Sequence, residues 1–162
     1  MTKSPECIGT GMGYRILDHT ADIGVEVRGE TLADLFSQAA LALVDLLTDR
    51  SLLTGEAERM IRVEGSDLDE LWVNYLREVL YLFNADNFLV KEILQINRNL
   101  PVITLEESKD KSAGVSLEAH FSGEIYNPCR HAVNTEIKAV TYHRAEVKQT
   151  PAGWQGVFIV DV

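Results

Sequence analysis

The segment IGVEVR (23–28) runs almost directly into TLADLFSQAALALVDLL (31–47), and the change of period between them decides the fold class. In the first, Ile23, Val25 and Val27 alternate with Gly24, Glu26 and Arg28, the two-residue repeat of a half-buried strand. In the second, Leu32, Leu35, Phe36, Ala39, Ala40, Leu43, Leu46 and Leu47 recur at helical spacing and form one apolar stripe. Thr31 stands at the N-cap, and Asp34 takes the place of the glutamate in a capping box. A strand that feeds a core-facing helix requires a sheet for that helix to cover.

Outward from this unit the pattern is mostly extended. YRIL (14–17) reads as a preceding strand, joined to IGVEVR through the bend DHTAD (18–22). ERMIRVEG (58–65) is a further strand. SDLDELWVNYLREVLYLFNAD (66–86) is a second helix, with Ser66 as the expected cap and Asp69 at the third position. Its stripe is Leu68, Leu71, Trp72, Tyr75, Leu76, Val79, Leu82 and Phe83. Asp67, Asp69 and Glu70 load its first turn, where the helix dipole favours negative charge. FLVKEILQI (88–96) and PVITLEE (101–107) read as extended, and EESKDKSAG (106–114) as a solvated loop. VSLEAHFSGE (115–124) is a half-buried strand, NPCRH (127–131) a turn, TEIKAVTYHRAEVKQ (135–149) mostly strand, and WQGVFIVDV (154–162) its hairpin partner. The expected class is α+β: a largely antiparallel sheet with two main helices packed on one side. Residues 1–13 read as a flexible tail and 14–162 as a single domain, with no internal repeat and no linker.

Composition narrows the function classes. The chain has 162 residues, 46% hydrophobic and 25% charged, with a formal net charge of −10. That charge opposes a free-standing nucleic-acid binder and suits protein partners or cations. Its two cysteines, Cys7 and Cys129, form no disulfide framework and indicate free thiols in a reducing compartment. No apolar run reaches transmembrane length and the N-terminal residues lack a signal-like apolar stretch, so the expected location is cytoplasmic.

None of the common nucleophile, phosphate-loop, dinucleotide or zinc-protease motifs occurs. Cys129 sits in a turn beside Arg130 and His131, an arrangement that matches no catalytic signature. His120 falls on the polar face of its strand, and His131 follows a turn. His143 shares parity with Ile137, Ala139, Ala145 and Val147 and should lean toward the apolar side, unless a bulge near Val140 resets the register.

The end of the chain is more suggestive. Asp161 shares a strand face with Val157 and Ile159, which places a carboxylate on an apolar row one residue before Val162. Hard divalent ions take oxygen ligands, and Asp22 is the candidate third carboxylate beside Asp161 and the Val162 oxygens. Taken alone, the residues favour a plainer account, a solvated chain end.

YRILDHTADIGVEVRGETLADLFSQAALALVDLL (14–47), H-x-V-N-T-E-I-K-A-V-T-Y-H (131–143) and GWQGVFIVDV (153–162) together resemble the signatures of the archease family, from Tyr14 to Val162. The resemblance implies a non-enzymatic protein cofactor. Archeases assist the GTP-dependent RNA-splicing ligase that joins 3′-phosphate or 2′,3′-cyclic phosphate ends to 5′-hydroxyl ends, promoting its guanylylation and multiple turnover in tRNA splicing and RNA repair. It implies a strand–helix–strand–strand module with an insertion. It also implies a bound divalent cation, calcium in the family with Mg²⁺ or Mn²⁺ as substitutes, held by Asp22, Asp161 and Val162. His19 and His143 are the accompanying candidates for support of that site or for partner contact. Two other readings stay open at this point: a metal-assisted hydrolase using Asp22, His143 and Asp161, and a general chaperone or RNA-binding module. Strong direct binding of nucleic acid is not expected, nor is membrane association.

Overall fold

The computed structural model describes residues 13–18, 22–96 and 114–162. The expectations for residues 1–12, the DHTAD bend at His19, PVITLEE (101–107) and most of the loop at 106–114 lie outside them. The element order is β1 (Gly13–Asp18), β2 (Asp22–Gly29), α1 (Leu32–Leu47), a 3₁₀ turn (Arg50–Leu52), β3 (Ala57–Gly65), α2 (Leu68–Asn84), β4 (Phe88–Ile96), β5 (Val115–Ile125), β6 (Ala139–Thr150) and β7 (Gly153–Asp161).

The class is α+β and every strand pair is antiparallel, but the strands form two sheets rather than one. A four-stranded sheet has the order β1-β2-β7-β6, and a three-stranded sheet the order β3-β5-β4. Both helices touch both sheets: α1 lies against β2 and β4, and α2 against β6 and β3. Each sheet therefore has helices on one side, while each helix has a sheet on either side. The expected stripe of α1 is buried in full, and Ala42 and Val44 are buried as well. On α2, Val73 and Leu80 join the buried set. A helix that is apolar beyond a single stripe is one covered from more than one direction.

A short unit also recurs, contrary to the expectation of no repeat. Val27-Arg28-Gly29-Glu30-Thr31-Leu32-Ala33-Asp34-Leu35-Phe36 and Val63-Glu64-Gly65-Ser66-Asp67-Leu68-Asp69-Glu70-Leu71-Trp72 are offset by 36 residues. Each ends a strand on glycine, caps a helix two residues later and turns its first leucines into the core. The glycines are needed for space: a Cβ on Gly29 would lie 2.5 Å from the Leu35 nitrogen, and one on Gly65 would lie 2.5 Å from the Leu71 nitrogen. The capping box of Thr31 and Asp34 is present in both directions. In the second unit Asp67, not Ser66, is the N-cap, accepting from the Glu70 N–H. Ser66 instead donates through its N–H and its hydroxyl to the Glu70 carboxylate. The matching aromatic residues, Phe36 and Trp72, meet edge to face with centroids 5.2 Å apart.

Candidate metal and partner site

β7 carries the Asp161 carboxylate between two neighbouring strands. Its register with β2 sets Ile23 opposite Val160, Val25 opposite Phe158, and Asp22 directly opposite Asp161. On its other side, β6 sets Ala139 opposite Asp161. Val25, Phe158 and Val160 belong to the core under the helices. Asp161 does share its face with Val157 and Ile159, as its parity requires, but that face is the outer one and not the core row expected. Behind the two aspartates, Leu17, Gly24, Ile159 and Thr141 form the next row of the same face.

Two carboxylates on directly opposed strand positions repel unless something neutralises them. A shared hydrogen bond with Asp22 holds the Asp161 carboxyl above its ordinary range, reinforced by partial desolvation and by the Asp22 charge, while Lys138 acts in the other direction. Lys138 is placed for this by its own backbone: its N–H donates to the Asp161 carbonyl at 2.8 Å. Sequence reasoning passed over Lys138, although it stands inside the I-K-A-V-T-Y-H segment beside the strand that meets Asp161. Among the described residues no group of three acidic, histidine or cysteine side chains converges. The exposed Val162 follows Asp161 directly, so main-chain oxygens accompany the two carboxylates at this strand end. Oxygen-only donors with excess negative charge suit a hard divalent cation.

The histidines divide. His19 lies outside the described residues. His143 does not lean into the core: it is exposed. The β6–β7 register breaks between Thr141 and Glu146, so the conditional bulge is the arrangement that occurs, and it cancels the parity argument. His120 faces outward as expected, its Nε2 3.1 Å from Glu118. His131, uninformative in sequence, is buried. Asn127 N–H donates to its Nδ1 at 2.9 Å, so the ring proton resides on Nε2, which sits 3.2 Å from the Glu124 carboxylate in an off-axis contact. Arg130 pairs with the same buried Glu124. Cys129 is an exposed thiol in this turn.

This cluster anchors the connector from β5 to β6. Farther along it, the Thr48 hydroxyl donates to the Ala132 carbonyl and Asn134 N–H donates to the Leu47 carbonyl, each at 2.7 Å. Ile137 is buried and Lys138 follows. The Thr54 N–H holds the Glu124 carboxyl below its ordinary range, against the effect of burial, with His131 and Arg130 adding to the lowering. A carboxylate lowered in this way stabilises the fold above its unfolded pKa, and the contribution disappears as pH falls through the folded value. Glu124→Gln is therefore expected to lower the thermal midpoint at pH 7 and to shrink its difference from wild type as pH falls below about 4. Melting curves across that range check it, and an unchanged difference would refute it.

The model of the Archease protein family matches residues 14–162. The chain belongs to the archease family. The archease of Methanosarcina mazei is 37% identical over 152 residues, which cover 94% of this chain and 97% of that protein. The archease of Archaeoglobus fulgidus is 35% identical, covering 93% of this chain and 100% of that protein. The solution structure of Methanobacterium thermoautotrophicum protein 1598 superposes with a TM-score of 0.72 at 27% identity, covering 93% of this chain and 99% of the other. The crystal structure of a Thermotoga maritima archease, described as a possible chaperone, superposes with a TM-score of 0.58 at 18% identity, covering 90% and 94%, and bears on the fold alone. No helix among the described residues of this archease-family chain is long and apolar enough to cross a membrane.

Proposed function

We propose that this archease-family protein is a cytoplasmic, non-enzymatic activator of the RNA-splicing ligase that joins 3′-phosphate and 5′-hydroxyl ends. The observation that carries the reading is the Asp22–Asp161 pair, aligned in register on adjacent strands and flanked by Lys138. Two opposed carboxylates with one compensating cation make an acidic tip suited to a partner site that handles metal ions and a nucleoside triphosphate.

Asp22, Asp161 and the Val162 oxygens would hold the divalent cation, calcium or a similar hard ion. When bound, the ion supplies positive charge that cancels the carboxylate repulsion and a Lewis-acid centre at the tip. The residues of the chain do the rest: β2 and β7 fix the two carboxylates in register, and Lys138 balances their charge. His143, exposed on the β6 bulge, is available for partner contact. The hydrolase reading has no comparable support, because the β6–β7 register does not set His143 opposite the aspartate pair.

The test is ligase turnover. The ligase, its paired RNA ends, GTP and metal are mixed with this protein well below the ligase concentration. Multiple turnover is expected. A ligase known to need such help that stays at a single turnover would overturn the reading, and RNA or nucleotide hydrolysis by the isolated protein would point to an enzyme. A C-terminal extension is further expected to weaken activation by about tenfold, with an N-terminal extension near wild type, because the former displaces the Val162 oxygens. Equal activation by the two tagged forms would exclude Val162 from the site.

A further inference from the structure

We propose that Arg77 is a positioning residue, clamping the β6 bulge so that His143 and Arg144 present a contact for an anionic group of the partner. The proposal rests on the ligase reading above and adds the part of the surface that engages the partner beside the acidic tip.

The bulge is large. The ladder is regular to Thr141 opposite Ile159 and resumes at Glu146 opposite Val157, so residues 142–145 face the single position Phe158. Such irregularities on edge strands re-aim side chains and bend the strand. Arg144 adopts φ 56°, a backbone conformation that a residue with a Cβ rarely takes and that the surroundings must enforce. His143 and Arg144 are exposed. Among the described residues Arg144 makes no ion pair, in a chain whose formal charge is −10.

The enforcement comes from one flank of α2. Arg77 Nε–H donates to the Val140 carbonyl at 3.0 Å, where the strand enters the bulge. Val147 N–H donates to Asp69 Oδ1 at 2.8 Å, where it leaves. Between them the Arg77 guanidinium lies over the Tyr142 ring, 4.4 Å from its centroid. The Tyr142 hydroxyl donates to Asn74 Oδ1 at 3.2 Å. The apex is tied back by the His143 N–H, which donates to Thr141 Oγ1 at 3.1 Å. Thr141 lies two residues along β6 from Ala139, the partner of Asp161, so clamp and acidic tip share a strand. A bulge that served only to blunt the sheet edge would need neither a stacked tyrosine nor a cation at its apex.

Two readouts test the clamp. One is tryptic cleavage after Arg144, followed by mass spectrometry. The other is the concentration of this protein that gives half-maximal ligase activation. Arg77→Ala removes a stacked cation and a hydrogen bond, and is expected to raise both by roughly tenfold with maximal turnover unchanged. Arg77→Lys, which keeps a cation but not the planar fork, is expected to fall between Arg77→Ala and wild type. A His143→Ala, Arg144→Ala double variant should raise the half-maximal concentration similarly, and adding Arg77→Ala should raise it no further. Unchanged cleavage and activation in Arg77→Ala, or full additivity with the double variant, would overturn the clamp alone. A wild-type protein that activates no ligase would overturn the ligase reading and the contact together.

Discussion

Asp161→Asn is expected to remove divalent-cation binding and ligase activation while leaving the fold intact. The substitution keeps the shape of the side chain but deletes one of two opposed carboxylates, so the remaining donors no longer carry the charge a hard ion requires. Loss of a supporting group alone costs metal sites about 10–100-fold, and loss of a ligand should cost at least as much. Stability should move the other way. The Asp161 carboxyl is held above its ordinary range, chiefly by its bond with Asp22. Such a group stabilises the fold fully below its unfolded pKa, and that contribution is lost as pH rises through the folded value. At neutral pH without metal the wild-type protein therefore bears the Asp22–Asp161 repulsion, and Asp161→Asn relieves it. Calcium or terbium titration, metal-free melting curves at pH 7 and ligase turnover make up the measurement. An Asp161→Asn protein that binds metal and activates as wild type does would remove Asp161 from the site.

Trp72→Ala is expected to cost about 3–5 kcal/mol of stability, the range for deleting a large buried aromatic side chain. Trp72 is fully buried on α2. It meets Phe36 of α1 and Phe158 of β7 edge to face, with centroids 5.2 and 6.1 Å away. Its indole N–H donates to the Val157 carbonyl at 3.0 Å. Gly156 is open for this ring: a Cβ there would lie 2.6 Å from it. The one side chain thus joins both helices to the strand that ends in Asp161. Against a typical domain stability of about 5–15 kcal/mol, its loss is a large fraction. Denaturant unfolding measures the cost, and a loss below about 1 kcal/mol would show that the three-way contact contributes little. Trp72→Phe, which keeps most of the apolar volume but leaves the carbonyl without its donor, should fall well short of the alanine variant.

The local elements were legible because each depends on short-range periodicity. Thr31 with Asp34 and the stripe of α1 follow from spacing alone. The error at Ser66 was one residue wide, because Ser66 and Asp67 are both good caps and only the packing of Leu68 and Leu71 decides between them. The opposite parities of Asp22 and Ile23, and of Asp161 and Val160, were also readable. Parity does not say which face meets the helices. Phe158 and Val160 face them and Ile159 does not, although all three are buried.

The α+β class, the two capped helices and the family signatures in which Asp22 and Asp161 stand were all readable from the residues alone. The three-dimensional fold was needed to show that the described strands form two sheets with helices between them, that Asp161 lies on the outer face directly across from Asp22, that Lys138 bonds the Asp161 backbone, and that Glu124 and His131 anchor the connector from β5 to β6. The reason is the range of the interactions. Caps and stripes are set within about one or two helical turns. Strand register between β2 and β7 is set by residues more than a hundred positions apart, and the β6 bulge is held in place by a helix from an earlier part of the chain.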